Sequence, residues 1–308
     1  MPPLLRRALV GFLEIIPVLW AVATITFFMV RLVPGGPFDR ERNLTPEAAA
    51  ANMAYYGLDQ PLSVQYVQYL SNLVHGDLGP SYQHPGWSVN ELLAQKAPVS
   101  AELGLWALLV ALAVGLQAGI LAAARSRTWS DYLPMSLAML GICLPTFVLG
   151  PLLILVFGLK LDWVNVNGWH TASDRILPAI TLGLYFAAFL ARLTRGSLLE
   201  ARQQDYIRTA RAKGCSPLRV LVVHALRNAL APVVAFLGPT VAGLVTGSFV
   251  VESVYQIPGI GRLFVEAALD KDYPLLLGVT ILFAALLLVC NWIADLLLAF
   301  LNPKARVE

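Results

Sequence analysis

The residue types that carry chemistry are sparse in this chain of 308 residues. None of the lysines (Lys96, Lys160, Lys213, Lys271, Lys304) follows a glycine, so no G-x-x-x-x-G-K-[ST] loop exists to cradle phosphates, and the chain does not hydrolyse nucleotide in that way. His75, His84, His170 and His224 all fall outside the long apolar runs, which removes a Ser–His dyad from those runs. No Cys/His cluster has metal spacing. Cys143 and Cys290 lie in apolar stretches and read as small buried hydrophobes. Two carboxylates, Glu14 and Asp295, interrupt apolar runs. An acid in lipid costs about 2.5 kcal/mol or more, so both are candidates for a proton relay. Each also lies near the end of its run, where snorkelling or pairing with Arg6, Arg7 or Lys304 gives it a structural role instead. The residues describe a non-catalytic membrane subunit.

One polar stretch is ordered enough to suggest a task. Residues 192–227 hold Arg192, Arg195, Arg202, Arg208, Arg211, Lys213, Arg219 and Arg227 against only Glu200 and Asp205. Asp205 to Lys213 reads as a helix, Gly214 as its stop, Ser216 as a new N-cap and Pro217 as the first turn of the next helix. Leu218, Leu221, Val222 and Leu226 then return to an apolar face. A compact helix–turn–helix of this kind suits docking into a groove on a partner protein. It equally suits a basic hairpin lying on lipid headgroups.

The elements that must hold this hairpin follow from composition. The chain is 57% hydrophobic and 13% charged, with mean hydropathy +0.67 and net charge +3. Soluble domains are nearer 45–50% apolar and about 25% charged, so a polytopic membrane protein is expected and a soluble enzyme or nucleic-acid binder is not. Six runs are long enough to span a bilayer: 8–30, 100–124, 132–158, 176–193, 231–251 and 275–301. The fourth is the shortest and most interrupted. An even number of spans puts both termini on one side. That side carries 14 of the 22 basic residues, counted as Arg6, Arg7, Arg125, Arg127, Lys304, Arg306 and the eight of the hairpin stretch. The positive-inside rule then makes both termini and the hairpin cytoplasmic. The opening Arg6-Arg7 and Ala21-Val22-Ala23 mimic a signal peptide, but Glu14 and the continuing apolar run favour a retained anchor.

The division along the chain is a first span (1–30), an external helical loop (31–98) and a five-span core (99–308) with its loop at 195–230. In the external loop, Thr45-Pro46-Glu47 reads as an N-cap, Gly57 and Gly76 as helix stops, and Ser88 to Glu91 as a capping box opening a short helix that Pro98 breaks. After span five, Pro258-Gly259 marks a turn, and Leu263, Phe264, Ala267 and Ala268 share one face of a surface helix, either a plug or a plain re-entry segment. Gly115–Gly119 and Gly243–Gly247 have the spacing that lets helices approach closely. Thr240, Thr246 and Ser248 are candidates to line a polar path.

The stretch Asp205-Tyr206-Ile207-Arg208-Thr209-Ala210-Arg211-Ala212-Lys213-Gly214, followed by His224 to Pro232, resembles the coupling loop of binding-protein-dependent ABC importer permeases of the peptide/nickel subfamily. The general pattern begins Glu-Ala-Ala with a glycine four residues after the last alanine. Here Arg208-Thr209-Ala210 takes the triplet and Gly214 the glycine, a departure typical of the peptide branch. Arg31 to Phe38, His75 to Ser81, Ile257 to Gly261, Asp272-Tyr273-Pro274 and Asn302-Pro303-Lys304 resemble that branch in order. The oligopeptide B-type permeases are the most similar, since the short loop before span four separates them from the dipeptide type. The resemblance implies an all-α, six-helix type I importer permease in the bacterial inner membrane. It also implies a homologous C-type permease, two cytoplasmic ABC ATPase subunits that bind the ATP and Mg, and an external peptide-binding protein. Asp205, Tyr206, Ile207, Arg208, Thr209, Ala210, Lys213, Gly214 and Ser216 would then carry ATPase coupling.

Overall fold

The computed structural model describes residues 3–38, 46–246 and 249–301 and is helical throughout its spans. Thr45, Gly247, Ser248 and the Asn302-Pro303-Lys304 motif lie outside the described residues. Among the described residues, five helices are long and apolar enough to cross a membrane, or six if a bent pair is counted as one span.

The first span is α1 (Pro3–Leu32) and the last is α13 (Tyr273–Leu301). They pair along their length: Phe12 meets Trp292 edge-on at 5.9 Å, and the Trp292 indole donates to the Ala8 carbonyl at 3.0 Å. Between them in sequence lie α2 (Pro46–Tyr55) and α3 (Leu62–Val74), and Gly57 and Gly76 follow them at φ +65° and +74°. The Ser88 capping box forms in both directions, with Glu91 N–H donating to Ser88 Oγ and Ser88 N–H to Glu91 Oε2.

Helix α4 (Val89–Ala124) differs from expectation: it passes through Pro98 without breaking. Proline removes one helical bond, but burial of Val89, Leu92 and Leu93 before it and Leu103 and Ala107 after it holds both halves in line. The loop that follows the first span therefore ends in a helix that runs on without a break into the second span.

The third run is not one helix. It divides into α5 (Trp129–Cys143) and α6 (Thr146–Leu153), which continues as a π-helical stretch, Ile154–Lys160, and the two parts meet at 107°. Pro145 has no N–H to give the ladder and forces Leu144 into extended backbone at φ −96°, ψ 112°. Gly141, one turn before the bend, is buried against the Leu184 carbonyl, while Pro145 at the bend is exposed. Cys143, beside it, is exposed rather than buried.

The fourth run, shortest in sequence, is the most enclosed span. Helix α7 (Ile176–Ala201) packs against α4, α5, α6 and α10 (Leu226–Val245). Its apparent weakness as a span reflects its alanines, glycine and threonines, which permit close packing. A Cβ on Gly115 would fall 2.7 Å from the Ala187 carbonyl and one on Gly119 2.6 Å from that of Ala191. Gly243 behaves differently: its Cβ would meet only Phe186, at 3.7 Å.

At the end of the bundle opposite the hairpin, scattered motifs converge into a cap. Asp272, fully buried, accepts from Ser81 Oγ, from Gln83 N–H at 3.2 Å and from Leu275 N–H at 3.3 Å. Lys271 donates to the Pro34 carbonyl at 2.9 Å and Tyr273 to that of Gly35. Helices α11 (Phe249–Val254) and α12 (Ile260–Leu269) complete this end. Ile260, Leu263 and Ala267 of α12 pack on Val89, Leu92, Leu93, Leu275 and Val279.

Candidate coupling site

Helix α8 (Asp205–Ala212) lies across the end of the bundle, with Asp205 in its first turn and Arg211 in its last, the charge order that suits the helix dipole. It closes as a Schellman motif. Gly214 N–H donates to the Arg211 carbonyl at 2.9 Å and Cys215 N–H to that of Ala210 at 3.2 Å, with Gly214 at φ +77°. Ser216 then caps α9 (Pro217–Arg219), its Oγ accepting from Arg219 N–H at 3.4 Å, and Pro217 fills the first helical position. A π-helical stretch, Val220–Ala225, joins α9 to α10.

The helix is two-faced. Ile207 and Ala210 are buried against Ala123, Leu198, Val220 and Ala225, so they seat the hairpin on the spans. Asp205, Tyr206, Arg208, Thr209, Lys213, Gly214 and Ser216 lie on the exposed side, together with Leu218, an apolar side chain 70% exposed. The sequence-named residues thus separate into an anchoring pair and an outward surface. The Asp205–Arg208 pair, at 3.7 Å and exposed, contributes little.

Two contacts that local sequence did not suggest tie this platform down. Asp131, nearly buried at the start of α5, receives both arms of the Arg195 guanidinium at 2.6 and 2.8 Å and the Arg127 N–H at 2.9 Å. Arg202 donates to the carbonyls of Ala123 and Ala124, capping the end of α4. These contacts join the end of α7, from which the hairpin leaves, to α4 and α5.

Between α7 and α10, next to the hairpin, runs a groove of about 530 Å³ lined by Phe189, Arg192, Gly196, Glu200, Pro232 and Phe236. Arg192 stands 5.4 Å over the Phe189 ring. A second hollow of about 320 Å³ shares Ser197, Glu200 and Pro232 and reaches Tyr206. Thr240 is not on this surface: it is buried, and its hydroxyl donates to the Phe236 carbonyl at 2.7 Å. Thr246 is half-buried and donates to the Gly243 carbonyl at 3.2 Å. Glu14 and Asp295 are both exposed on the outside of α1 and α13, and neither points into the bundle.

Glu252 is also buried; it accepts from Ser100 Oγ at 2.8 Å and Arg262 N–H at 2.9 Å, and Ser100 Oγ in turn accepts from Ile260 N–H at 2.8 Å. A Cβ on Gly259 would overlap Ser100 and the Glu252 carboxyl. The Ile257-Pro258-Gly259-Ile260-Gly261 motif is the turn that fits around this carboxylate.

Residues 115–307 match the family described as binding-protein-dependent transport system inner membrane component, and residues 3–89 match its N-terminal companion. The chain belongs to this family. It is 46% identical over 305 residues to the oligopeptide transport system permease protein OppB of Escherichia coli (strain K12), covering 98% of each chain. It is 43% identical over 288 residues to the dipeptide transport system permease protein DppB of Bacillus subtilis (strain 168), covering 93% of each. Among solved structures, an amino acid ABC transporter with histidines shares the fold, with a TM-score of 0.51 at 17% identity over 70% of this chain and 94% of that one. The chain is a multi-pass inner-membrane permease.

Proposed function

We propose that this chain is the permease subunit of an ATP-driven importer of oligopeptides, forming half of a translocation path and passing ATPase motion to its spans through the hairpin. The carrying observation is likeness to an oligopeptide permease along 98% of both chains. On this reading the hairpin end faces the cytoplasm, as its basic excess indicates, and the cap faces outward. A homologous C-type permease completes the path. Two ABC ATPases, which hold ATP and Mg, dock on the exposed face of α8 and the turn at Gly214, and a binding protein delivers peptide to the cap.

The mechanism follows from the anchoring. A push on α8 is carried through Ile207 and Ala210 into α7 and α10, and through the Arg195–Asp131 pair into α5. Because these spans are in backbone-to-backbone contact at glycines, they move as rigid bodies rather than deform, which gives alternating access by rocking. The groove between α7 and α10, with Arg192 and Glu200 at its sides, is the segment of the path this chain supplies.

The test is gentle extraction of the tagged chain from native membranes with identification of what co-purifies, followed by uptake of labelled tri- to pentapeptides. A second six-span permease with ATPase chains, and ATP-dependent uptake, is the expected result. The chain alone, without ATPase, overturns it. Uptake of dipeptides but not longer peptides would favour the dipeptide reading that the Bacillus subtilis relative suggests.

A further inference from the structure

The cap contains a cavity of about 300 Å³ between the end of α1, the α2–α3 turn, α3 and the start of α13. Its chemistry is unusual for a surface hollow. Arg31 stands in the wall with its guanidinium 3.5 Å over the Phe27 ring. Its Nε and Nη2 donate to Gln65 Oε1 at 3.2 and 3.0 Å and its Nη1 to the Phe27 carbonyl at 3.1 Å. Those acceptors are neutral, and among the described residues no carboxylate pairs with this guanidinium. Among the described residues these bonds use three of the five guanidinium N–H groups. A half-buried cation without an anion is a costly arrangement in a protein interior.

Tyr69 lies in the same wall, its ring stacked on Phe27 at 5.3 Å, and its hydroxyl is buried without a hydrogen-bond partner. Tyr82, also in the wall, is buried. Burial pushes the Tyr69 phenol up to about 12 and the Tyr82 phenol up as well, so both remain donors at physiological pH. Asp77, the acid among the lining residues, is exposed, and its Oδ1 is occupied by the Gly79 N–H at 2.9 Å. Among the described residues the interior thus offers a cation held only by neutral acceptors and the unpartnered Tyr69 hydroxyl, beside apolar surface from Leu58 and Leu277.

We propose that this cavity binds the C-terminal carboxylate of a short peptide. The planar guanidinium fork matches a carboxylate, the Tyr69 and Tyr82 hydroxyls supply further donors, and the last side chain packs on the rings and leucines. The volume lies at the small end of ligand sites, which suits one or two residues rather than a whole oligopeptide. The choice of a peptide rests on the proposed function; the demand for a carboxylate rests on Arg31 and Tyr69 alone.

The experiment uses the full chain in lipid nanodiscs, titrated by saturation-transfer NMR with acetyl-Ala-Ala, with acetyl-Ala-Ala-amide and with glycerol 1-phosphate as a lipid-headgroup probe. The free acid is expected to bind saturably, and the amide at least tenfold more weakly. Arg31→Gln should weaken acid binding at least tenfold. Tyr69→Phe keeps the ring stack and removes a hydroxyl that has no partner in the protein, so it should lower affinity several-fold while leaving the unfolding midpoint unchanged or raised. Equal binding of acid and amide, no binding of either, unchanged affinity in both variants, or preferential binding of glycerol phosphate overturns the assignment. Peptide uptake by the assembled complex is measured in parallel. Uptake without acid binding refutes the cavity and leaves the function standing; acid binding without uptake does the reverse.

Discussion

The turn at Gly214 isolates backbone strain from every other effect. Its φ is +77°, and a Cβ placed there meets nothing within 4 Å. Alanine would therefore cost only the left-handed backbone penalty of about 1–2 kcal/mol, and a β-branched valine more. At about 1.4 kcal/mol per decade, that lowers occupancy of the native turn relative to its alternatives by a factor of roughly 5–30. Asparagine, which visits this region readily, should be spared most of the penalty. Gly196 provides the internal control, since it also has open space around its Cβ but lies inside α7. Alanine there is expected to be neutral or to stabilise by about 0.5–1 kcal/mol. The assay is ATP hydrolysis by the assembled complex, with and without loaded binding protein, alongside membrane insertion. Gly214→Val should insert normally, because the hairpin anchors through Ile207 and Ala210, yet lose most of its stimulation. Gly214→Asn should retain stimulation, and Gly196→Ala should match the parent in membrane insertion. Full stimulation in Gly214→Val, or equal loss in the valine and asparagine variants, would refute the reasoning.

Three further perturbations test the packing. Glu252→Ala orphans the Ser100 hydroxyl and the Arg262 N–H, so the unfolding midpoint of the purified chain should drop by the equivalent of about 2–4 kcal/mol, with Glu252→Gln losing less. Gly141→Ala would drive a Cβ into the Leu184 carbonyl and should reduce the yield of folded chain in membranes, whereas Gly243→Ala, with only an ordinary contact to Phe186, should not. Asp272→Ala removes the acceptor shared by Ser81, Gln83 and Leu275, and limited proteolysis should then cut the cap faster while the hairpin keeps its parental cleavage rate.

What local chemistry could announce was legible. Apolar length gave the crossings, the Ser88 box and the Gly214–Ser216–Pro217 punctuation formed as read, and the α4 glycines mark close approach. What was not legible depends on partners far away in the chain. Pro98 lies just before one apolar run and Pro145 inside another, yet the first is absorbed into a helix and the second bends its span by 107°, because buried packing on both sides of Pro98 holds α4 together. Glu252 and Asp272 looked like ordinary acids of an outer loop. Their burial depends on Ser100 and Ser81, 152 and 191 positions away, and no local pattern carries that information. For Glu252 a signal did exist: two glycines in the Ile257 to Gly261 turn leave room for its carboxylate. Thr240, expected from its polarity to line a path, is buried, and its hydroxyl is consumed by its own helix. The polar groups that reach the groove are Arg192 and Glu200, residues that first read as loop charges.

The pairing of α1 with α13 bears on how the protein is made. Ribosomes deliver helices in order, and α1 enters the bilayer with only 11% of its apolar window destined for burial. Its Gly11 and Phe12 are shaped to receive Trp292, which is synthesised some 280 residues later. Helices α4, α5 and α7 can assemble as soon as α7 emerges, because their mutual contacts are already complete by residue 201. The first helix can meet α3 early at one end, through Phe27 and Arg31, but its Gly11–Phe12 end must wait in lipid until the last helix arrives. A chain interrupted before α13 would therefore retain an assembled centre and an amino-terminal anchor docked at one end only, so the first element inserted is the last one fully placed.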